Sequence, residues 1–182
     1  PVENWPQTFW KRNRTGHINI LTVYVDDFVM AGRNHRDEWK AIQEHITISE
    51  PCVVGRVLGV HFNFKDGATP NLKEVTMDMD NYAQQALDMY AKVPGAPPLR
   101  ANVHYPWYEP SLSEIEAVNE GHTKTVFGHC AASLLMKLLY AARMVRLDIC
   151  YSINCLSRYV TRWNSLCDKQ LSHLFSYIQH SN

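Results

Sequence analysis

The chain has 182 residues, of which 46% are hydrophobic and 20% are charged, and its formal net charge at pH 7 is zero. This composition is typical of a globular protein and excludes an intrinsically disordered chain. A zero net charge argues against nucleic-acid binding through bulk electrostatics alone, although a neutral chain can still concentrate basic side chains on one surface.

The first predicted element with a chemical signal is a hairpin over residues 17–32. Two short apolar runs, 18–23 and 28–32, flank the tetrapeptide Tyr24-Val25-Asp26-Asp27. Short β-rich runs on both sides of a polar pair are typical of a strand, a tight turn and a second strand. We therefore expect the two aspartates at the tip of this hairpin.

Adjacent carboxylates such as Asp26 and Asp27 repel each other, and burying them without a partner is costly. A divalent cation removes that cost. Hard oxygen ligands on a rigid turn suit Mg²⁺, which keeps its other positions for water and substrate phosphates, so the pair indicates a site for phosphoryl transfer. A solvated turn is the alternative, because aspartate favours turns on its own account; the flanking apolar strands favour the metal site.

The rest of the chain predicts further elements in order. They are a helix over 35–48, a second hairpin of 56–64 and 73–79 with a turn signal at Asp66-Gly67, and a helix over 81–91 capped by Asp80. Residues 93–123 are rich in proline and predict a linker or a functional loop. Three helices follow, over 126–145, from Asp148 onward and over 168–180, and short connections favour a small bundle.

The segment Leu21–Gly32 resembles the YVDD box of reverse transcriptases, specifically those of the Ty1/copia class of LTR retrotransposons. Later segments are similar to that family in the same order, and the match covers nearly the whole chain. These segments are Val57–Phe62 (the strand after the box), Asn81–Leu87 (the following helix), Leu139–Ile149 (the family's YL..aRPDI segment), Leu156–Val160 (its LSRF segment) and Asp168–His180 (the helix that leads into an RNase H domain).

The resemblance implies an α+β fold made of three parts. Residues 1–92 would form a partial polymerase palm of antiparallel hairpins packed with helices, and 93–123 a linker or loop. Residues 124–182 would form an α-helical bundle like a thumb or connection region. The implied activity is that of an RNA-directed DNA polymerase, which transfers a nucleotide from a dNTP to a primer 3′ end on an RNA or DNA template.

The same resemblance assigns roles to individual residues. Asp26 and Asp27 would be the catalytic and metal-binding pair, with Mg²⁺ or Mn²⁺ as cofactor, and Tyr24 and Val25 would pack near the primer terminus. Four further residues would contact primer or template: Leu58 and Gly59 at the primer-grip position, and Arg143 and Arg158 along the template-primer groove. Ordinary sheet strands and a solvated helix face explain these last four equally well.

The chain also departs from the family pattern. Leu147 stands where the family has proline, and the family's third catalytic aspartate lies on a strand well upstream of the box, whereas 23 residues precede Tyr24. We therefore expect a C-terminal part of a Pol polyprotein, with the upstream palm and fingers and a downstream RNase H domain as partners, and no polymerisation by this chain alone. The alternative is a degenerate or domesticated remnant that acts as a structural or interaction module.

Other sequence features concern location and association. Five cysteines without a CxxC pair predict reduced, mostly buried thiols in an intracellular protein, in a cytoplasmic particle or in the nucleus. No apolar run is long enough to span a membrane. His122, His129 and Cys130 lack the second close ligand pair that a structural zinc site needs. An exposed apolar face is expected on the palm sheet, and it predicts self-association.

Overall fold

The computed structural model describes residues 1–66, 73–119 and 124–181. This part of the chain is α+β, as expected, with two small antiparallel sheets and six α-helices. The strands are β1 (Thr8–Arg12), β2 (Ile18–Tyr24), β3 (Asp27–Ala31), β4 (Arg56–Val57), β5 (Val60–Asp66) and β6 (Lys73–Asp78). The helices are α1 (His35–Gln43), α2 (Asp80–Ala91), α3 (Leu112–Asn119), α4 (Ala131–Met144), α5 (Cys150–Ser157) and α6 (Ser165–His180), with short 3-10 helices at Leu147–Ile149 and Val160–Arg162.

The chain divides into two compact units, Pro1–Leu58 and Gly59–Asn182. The sequence instead places its boundary in the proline-rich segment 93–123. The division falls earlier because α2, which was expected in the palm, contributes its apolar face to the helical core of the second unit. No helix in the described ranges has both the length and the apolar character that crossing a membrane requires.

The first unit contains an antiparallel sheet in the order β1-β2-β3. Trp10 lies opposite Ile20, and Ile20 lies opposite Ala31, so these three side chains share one face. Trp10 is 53% exposed and Ile20 is 44% exposed. The apolar face expected on this sheet is therefore present.

Helix α1 follows the sheet and is shorter than the predicted 35–48. It ends at Gln43 because the backbone N–H groups of the next residues bond back to Lys40 and Ile42 in a tightened last turn. The buried Trp39 donates its indole N–H to the Ser49 carbonyl at 3.0 Å, which holds the following segment against the helix.

The second unit begins with the hairpin β5–β6, which confirms the predicted pairing of these runs. Phe62 lies opposite Met77 and Phe64 opposite Val75 on one face, and the other face carries polar pairs. The predicted strand 56–64 is divided into β4 and β5, because Leu58 and Gly59 have positive φ angles of 51° and 80° that interrupt the extended conformation between them. The predicted turn signal includes Gly67, which lies outside the described residues.

The core of the second unit is formed by α2, α4, α5 and α6. The Tyr90 ring of α2 lies 5.1 Å from the Phe127 ring and 4.7 Å from the Phe175 ring, measured between centroids. The large apolar side chains that recur at helical spacing along the last predicted helix are all buried: Leu171, Leu174, Phe175 and Ile178. The bundle-like helical region is thus confirmed, with α2 as an additional member.

Several predicted helix boundaries are wrong by a few residues. Helix α4 starts at Ala131 instead of 126, because the Ala131 N–H bonds to the Phe127 carbonyl in a turn that precedes the helix. Asp148 lies in the 3-10 helix before α5 and does not open a regular helix. The N-cap of α2 is Met79, so Asp80 is its first helical residue and not its cap.

The described part of the proline-rich segment belongs to the second unit and packs against its helices, so it is not a free linker. Backbone atoms along it bond to the helices: the Pro97 carbonyl accepts from Tyr90, the Arg100 N–H donates to Ser176, and the Pro106 carbonyl accepts from Ser152. It also contains α3, where the sequence pattern predicted a linker or loop. The spacing Ser111-x-x-Glu114 is a capping box that predicts this helix, since each side chain bonds the other residue's backbone N–H.

One carboxylate, Asp168 on α6, organises the entry into the bundle. It accepts hydrogen bonds from the backbone N–H groups of Val126 at 2.6 Å and Phe127 at 3.1 Å. It also accepts from the indole N–H of Trp163 at 2.8 Å. Three chain segments are therefore joined at a single side chain.

Asp168→Ala should lower the free energy of unfolding by about 3 kcal/mol, because hydrogen bonds to a charged group contribute roughly 1.5–3 kcal/mol each and are not fully additive. Urea denaturation followed by tryptophan fluorescence measures the change. Asp88→Ala is the control: it removes an exposed carboxylate that accepts from Gln84, and we expect a change within about 0.5 kcal/mol. Equal effects of the two substitutions would contradict this role of Asp168.

A second prediction concerns pH. Hydrogen bonds from Ser111, Tyr108 and Lys169 lower the pKa of Glu114 from 4.5 to about 2. Since the folded-state pKa is the lower one, the stabilising contribution is present above pH 4.5 and is lost as the pH falls towards 2. Amide signals of α3 in ¹H–¹⁵N spectra should weaken over that range. Glu114→Gln should remove the pH dependence, and an unchanged acid response in this variant would refute the assignment.

Candidate metal centre at the tip of the first hairpin

The hairpin β2–β3 closes through a turn of two residues. Its register places Tyr24 opposite Asp27, which leaves Val25 and Asp26 as the central turn residues. The apolar runs form the strands because β-branched and aromatic side chains fit a half-buried pleated surface. The predicted hairpin, with its acidic pair at the tip, is confirmed.

Val25 has an unusual backbone conformation for a β-branched residue. Its φ is 56°, in the left-handed region, where a β-branched side chain clashes with the backbone. Short hairpin turns require positive φ and ordinarily use glycine or asparagine there. The side chain is also 81% exposed, so burial does not offset the strain. Such strain is concentrated at functional sites in proteins, which makes this turn the first place to look for one.

Asp26 and Asp27 are both exposed, and neither carboxylate has a hydrogen-bond or ion-pair partner elsewhere in the described ranges. Asp27 begins β3 and shares the face of Tyr24, which is 51% exposed. Asp26 occupies the turn itself. Two unpartnered carboxylates on successive residues present hard oxygen ligands to solvent, and this donor set fits Mg²⁺ or Mn²⁺.

The acidic pair is not completed by a third ligand in the part of the chain that the structure describes. No group of three or more His, Cys, Asp or Glu side chains is arranged there to hold a metal ion. Asp26 and Asp27 would therefore supply only part of the coordination shell of a metal ion, and further ligands would come from substrate, water or another chain segment.

Leu58 and Gly59 lie in a turn, although the strand pattern of Val57–Phe62 predicted them within a strand. Large side chains alternate along this segment as they do in a strand, so the sequence pattern predicted a continuous strand and not a turn. Both residues precede β5, and Leu58 is 37% exposed. They belong to different compact units from one another, since the division falls between them.

The two arginines of the predicted template groove are exposed on the helical unit. Arg143 lies in the last turn of α4, and Arg158 follows α5 as its C-cap. Neither makes a hydrogen bond or ion pair within residues 59–66, 73–119 and 124–181. Their guanidinium groups are therefore free to bind anions, and they are equally well placed to be solvated.

The neighbouring basic residues are engaged in internal contacts. Arg146 forms a two-pronged ion pair with Asp148, at 3.0 and 2.9 Å. Burial alone would raise the pKa of Asp148, but hydrogen bonds from Arg146 and Tyr177 lower it. Lys169 pairs with Glu114 at 3.1 Å. Arg146 and Asp148, both within the segment Leu139–Ile149 that resembles the family, thus form a structural ion pair.

The cysteines do not form an alternative chemical site. None of the five is in a disulfide; Cys167 is buried, Cys52 is exposed and the others are half-buried. Burial raises the pKa of the Cys130 and Cys167 thiols, which disfavours the reactive thiolate. His122, which the sequence places near His129 and Cys130, lies outside the described residues.

One polar residue of the first unit was not singled out from the sequence. Asn19 is 4% exposed, and neither its amide nitrogen nor its amide oxygen has a hydrogen-bond partner. A single asparagine between Ile18 and Ile20 is the signal that could have identified it, because a polar side chain in an apolar strand needs a partner.

Comparison of the chain with protein-family models, with curated proteins and with solved structures returned no match.

Val25→Gly should stabilise the first unit by up to about 1 kcal/mol. Relief of the left-handed conformation should raise the free energy of unfolding by about 1–2 kcal/mol. The greater conformational freedom of glycine in the unfolded chain offsets roughly 0.5–1 kcal/mol of that gain. Thermal unfolding measured by circular dichroism tests the change. The matched control is Val23→Gly within β2, which should destabilise. A loss of stability in Val25→Gly as large as in the control would show that Val25 is not strained.

Proposed function

We propose that the chain is part of an RNA-directed DNA polymerase of the copia class and that Asp26 and Asp27 bind its divalent metal. The observation that carries this proposal is the exposed, unpartnered acidic pair on a two-residue turn whose first residue has a φ of 56°. The ordered resemblance along the rest of the chain adds to it. In this proposal the two sheets belong to a polymerase palm and the helical core to a thumb- or connection-like region.

The metal site would use the two carboxylates unequally. Asp26 lies in the turn and would be the principal ligand, and Asp27, at the start of β3, would be the second. Bound Mg²⁺ or Mn²⁺ would stabilise the negative charge that develops on the attacking and leaving oxygens during nucleotidyl transfer. The rigid turn would hold both oxygens in position without a costly rearrangement.

Other residues would orient the nucleic acid. Tyr24 and Val25 expose apolar surface beside the carboxylates and would pack near the primer terminus. Leu58 and Gly59 would contact the primer, and Arg143 and Arg158 would bind template-primer phosphates through their free guanidinium groups. The substrates would be a dNTP and an RNA or DNA template-primer.

Under this proposal, the isolated chain has no polymerase activity. Because no third acidic ligand joins Asp26 and Asp27 within the described residues, a complete two-metal site would need a carboxylate from another segment. The upstream palm and fingers and the downstream RNase H region of the same polyprotein would then be its partners. A non-catalytic structural module is the second candidate, and it is favoured by the incomplete ligand set.

The test has two readouts, metal binding and primer extension. Mn²⁺ should broaden amide signals around Val25–Asp27 in ¹H–¹⁵N spectra, and Asp26→Asn should abolish this broadening. Asp37→Asn, an exposed acid in the first turn of α1, is the matched control and should leave it intact. Uniform broadening across the spectrum that is the same in the wild type and in Asp26→Asn would argue against a metal site at the turn.

Primer extension then separates the polymerase from the structural module. The chain alone should be inactive with Mg²⁺ or Mn²⁺, and a copia-type palm–fingers segment supplied in trans should restore extension that Asp26→Asn eliminates. Extension by the chain alone would contradict the missing-ligand argument. No extension under either condition, combined with no localised Mn²⁺ effect, would favour the structural module.

A further inference from the structure

The first sheet has one face towards α1 and one face away from it. Lys11 of β1 forms an ion pair of 2.6 Å with Glu38 of α1, so the helix lies on the side of Lys11. Side chains alternate along a strand, and the residues next to Lys11 therefore point to the other side. We call that side the outer face. Its described side chains include Trp10, Arg12, Ile18, Ile20, Tyr24 and Asp27.

The middle of the outer face is apolar and open to solvent. Trp10 lies opposite Ile20 in the register of β1 and β2. Trp10, Ile18 and Ile20 are each between 44% and 53% exposed. Adjacent apolar side chains that remain this exposed on one sheet face mark a surface on which a partner packs.

The two ends of the outer face carry opposite charges. Arg12 lies opposite Ile18 at one end, and Asp27 lies opposite Tyr24 at the other. The ends are about 20 Å apart, because Tyr24 follows Ile18 by six residues and a strand rises about 3.4 Å per residue. Asp26, in the turn beside Asp27, makes the second end more acidic. The outer face is thus basic at one end, apolar in the middle and acidic at the other.

Both terminal charges are available to a partner. The Arg12 guanidinium donates one hydrogen bond to the Gly16 carbonyl at 3.0 Å, which holds the group at its end of the sheet. Since a guanidinium has five N–H donors, others remain for a carboxylate. Within residues 1–66, 73–119 and 124–181, neither Arg12 nor Asp27 forms an ion pair.

This charge pattern selects a second copy of the chain as the occupant. A two-fold axis that runs across the strands places the Arg12 end of one copy over the Asp27 end of the other, and the symmetry repeats this contact at the opposite end. A partner carrying one sign of charge would be attracted at one end and repelled at the other. The zero net charge of the chain adds no long-range repulsion between copies.

We propose that two copies of the chain associate through their outer faces in this antiparallel arrangement. Arg12 of each copy pairs with Asp27 of the other, and Trp10 and Ile20 of both copies fill the space of about 10 Å that separates packed sheets. The face of a three-stranded sheet is small, and interfaces below about 1,200 Å² are typical of weak complexes. We expect a reversible dimer with a Kd on the order of 10 µM.

The dimer is independent of the proposed polymerase function. Tyr24 and Asp27 are covered in it, so a second copy and a primer with its metal ion would exclude each other at this turn. Association is therefore measured in EDTA and without nucleic acid. Its failure would leave the proposed metal site standing, and failure of the Mn²⁺ experiment would leave the dimer standing.

Sedimentation equilibrium tests the association over roughly 1–200 µM chain. The weight-average mass should rise with concentration from 21.0 kDa towards twice that value. Ile20→Arg places a charge in the middle of the outer face and should keep the chain monomeric throughout. The matched control is Val75→Arg, since Val75 is a strand residue of the second unit that is 48% exposed. This variant should dimerise like the wild type.

Charge exchange tests the antiparallel arrangement itself. Arg12→Asp and Asp27→Arg each place like charges opposite each other, and each should raise the Kd at least about tenfold. The double variant restores opposite charges at both ends and should return the Kd to within about threefold of the wild type. Such recovery also shows that the single variants did not simply misfold.

Four results would overturn the proposal. They are a wild-type chain that stays monomeric at about 200 µM, growth beyond the dimer to larger species, an Ile20→Arg variant that dimerises like the Val75→Arg control, and a double charge variant no tighter than the single ones.

Discussion

The register of β2 against β3 is the constraint on which the first unit depends. With Tyr24 opposite Asp27, only Val25 and Asp26 remain to close the turn, and both carboxylates are fixed at its tip. The same register brings Asn19 against Gly32 at the other end of the hairpin. A shift by one residue would transfer every side chain to the opposite face. Asp27 would then lie on the face of Leu21, and Gly32 would no longer leave space for the Asn19 amide.

The two units carry very different amounts of buried apolar surface. In residues 1–58 Trp39 is the single buried apolar side chain. The described part of the second unit buries a continuous core of apolar side chains from α2, α4, α5 and α6. The Asp168 carboxylate further joins three segments of the second unit. Strain at Val25 and an unpaired amide at Asn19 thus occur in the unit that has least packing energy to offset them. Ligands that bind the folded first unit would therefore contribute a large share of its stability.

The sequence predicted those features that depend on local pattern. The hairpin at Tyr24–Asp27 and the inward face of α6 follow from alternation and helical spacing, and both are found. The turn at Leu58-Gly59 could not be recognised, because large apolar residues on both sides concealed it. Helix α3 could have been predicted from Ser111 and Glu114. The positions of the prolines in 93–118 and the membership of α2 in the helical core depend on tertiary packing, which no local pattern reveals.

The costs built into the first hairpin support the proposed metal site over a solvated turn. A solvated two-residue turn gains nothing from a β-branched residue at a φ of 56° or from two adjacent negative charges without partners. Asparagine and glycine would close the same turn at lower energy. A cation bound at Asp26 and Asp27 would relieve the charge repulsion between the two carboxylates, which is the one cost of this turn that a ligand can remove.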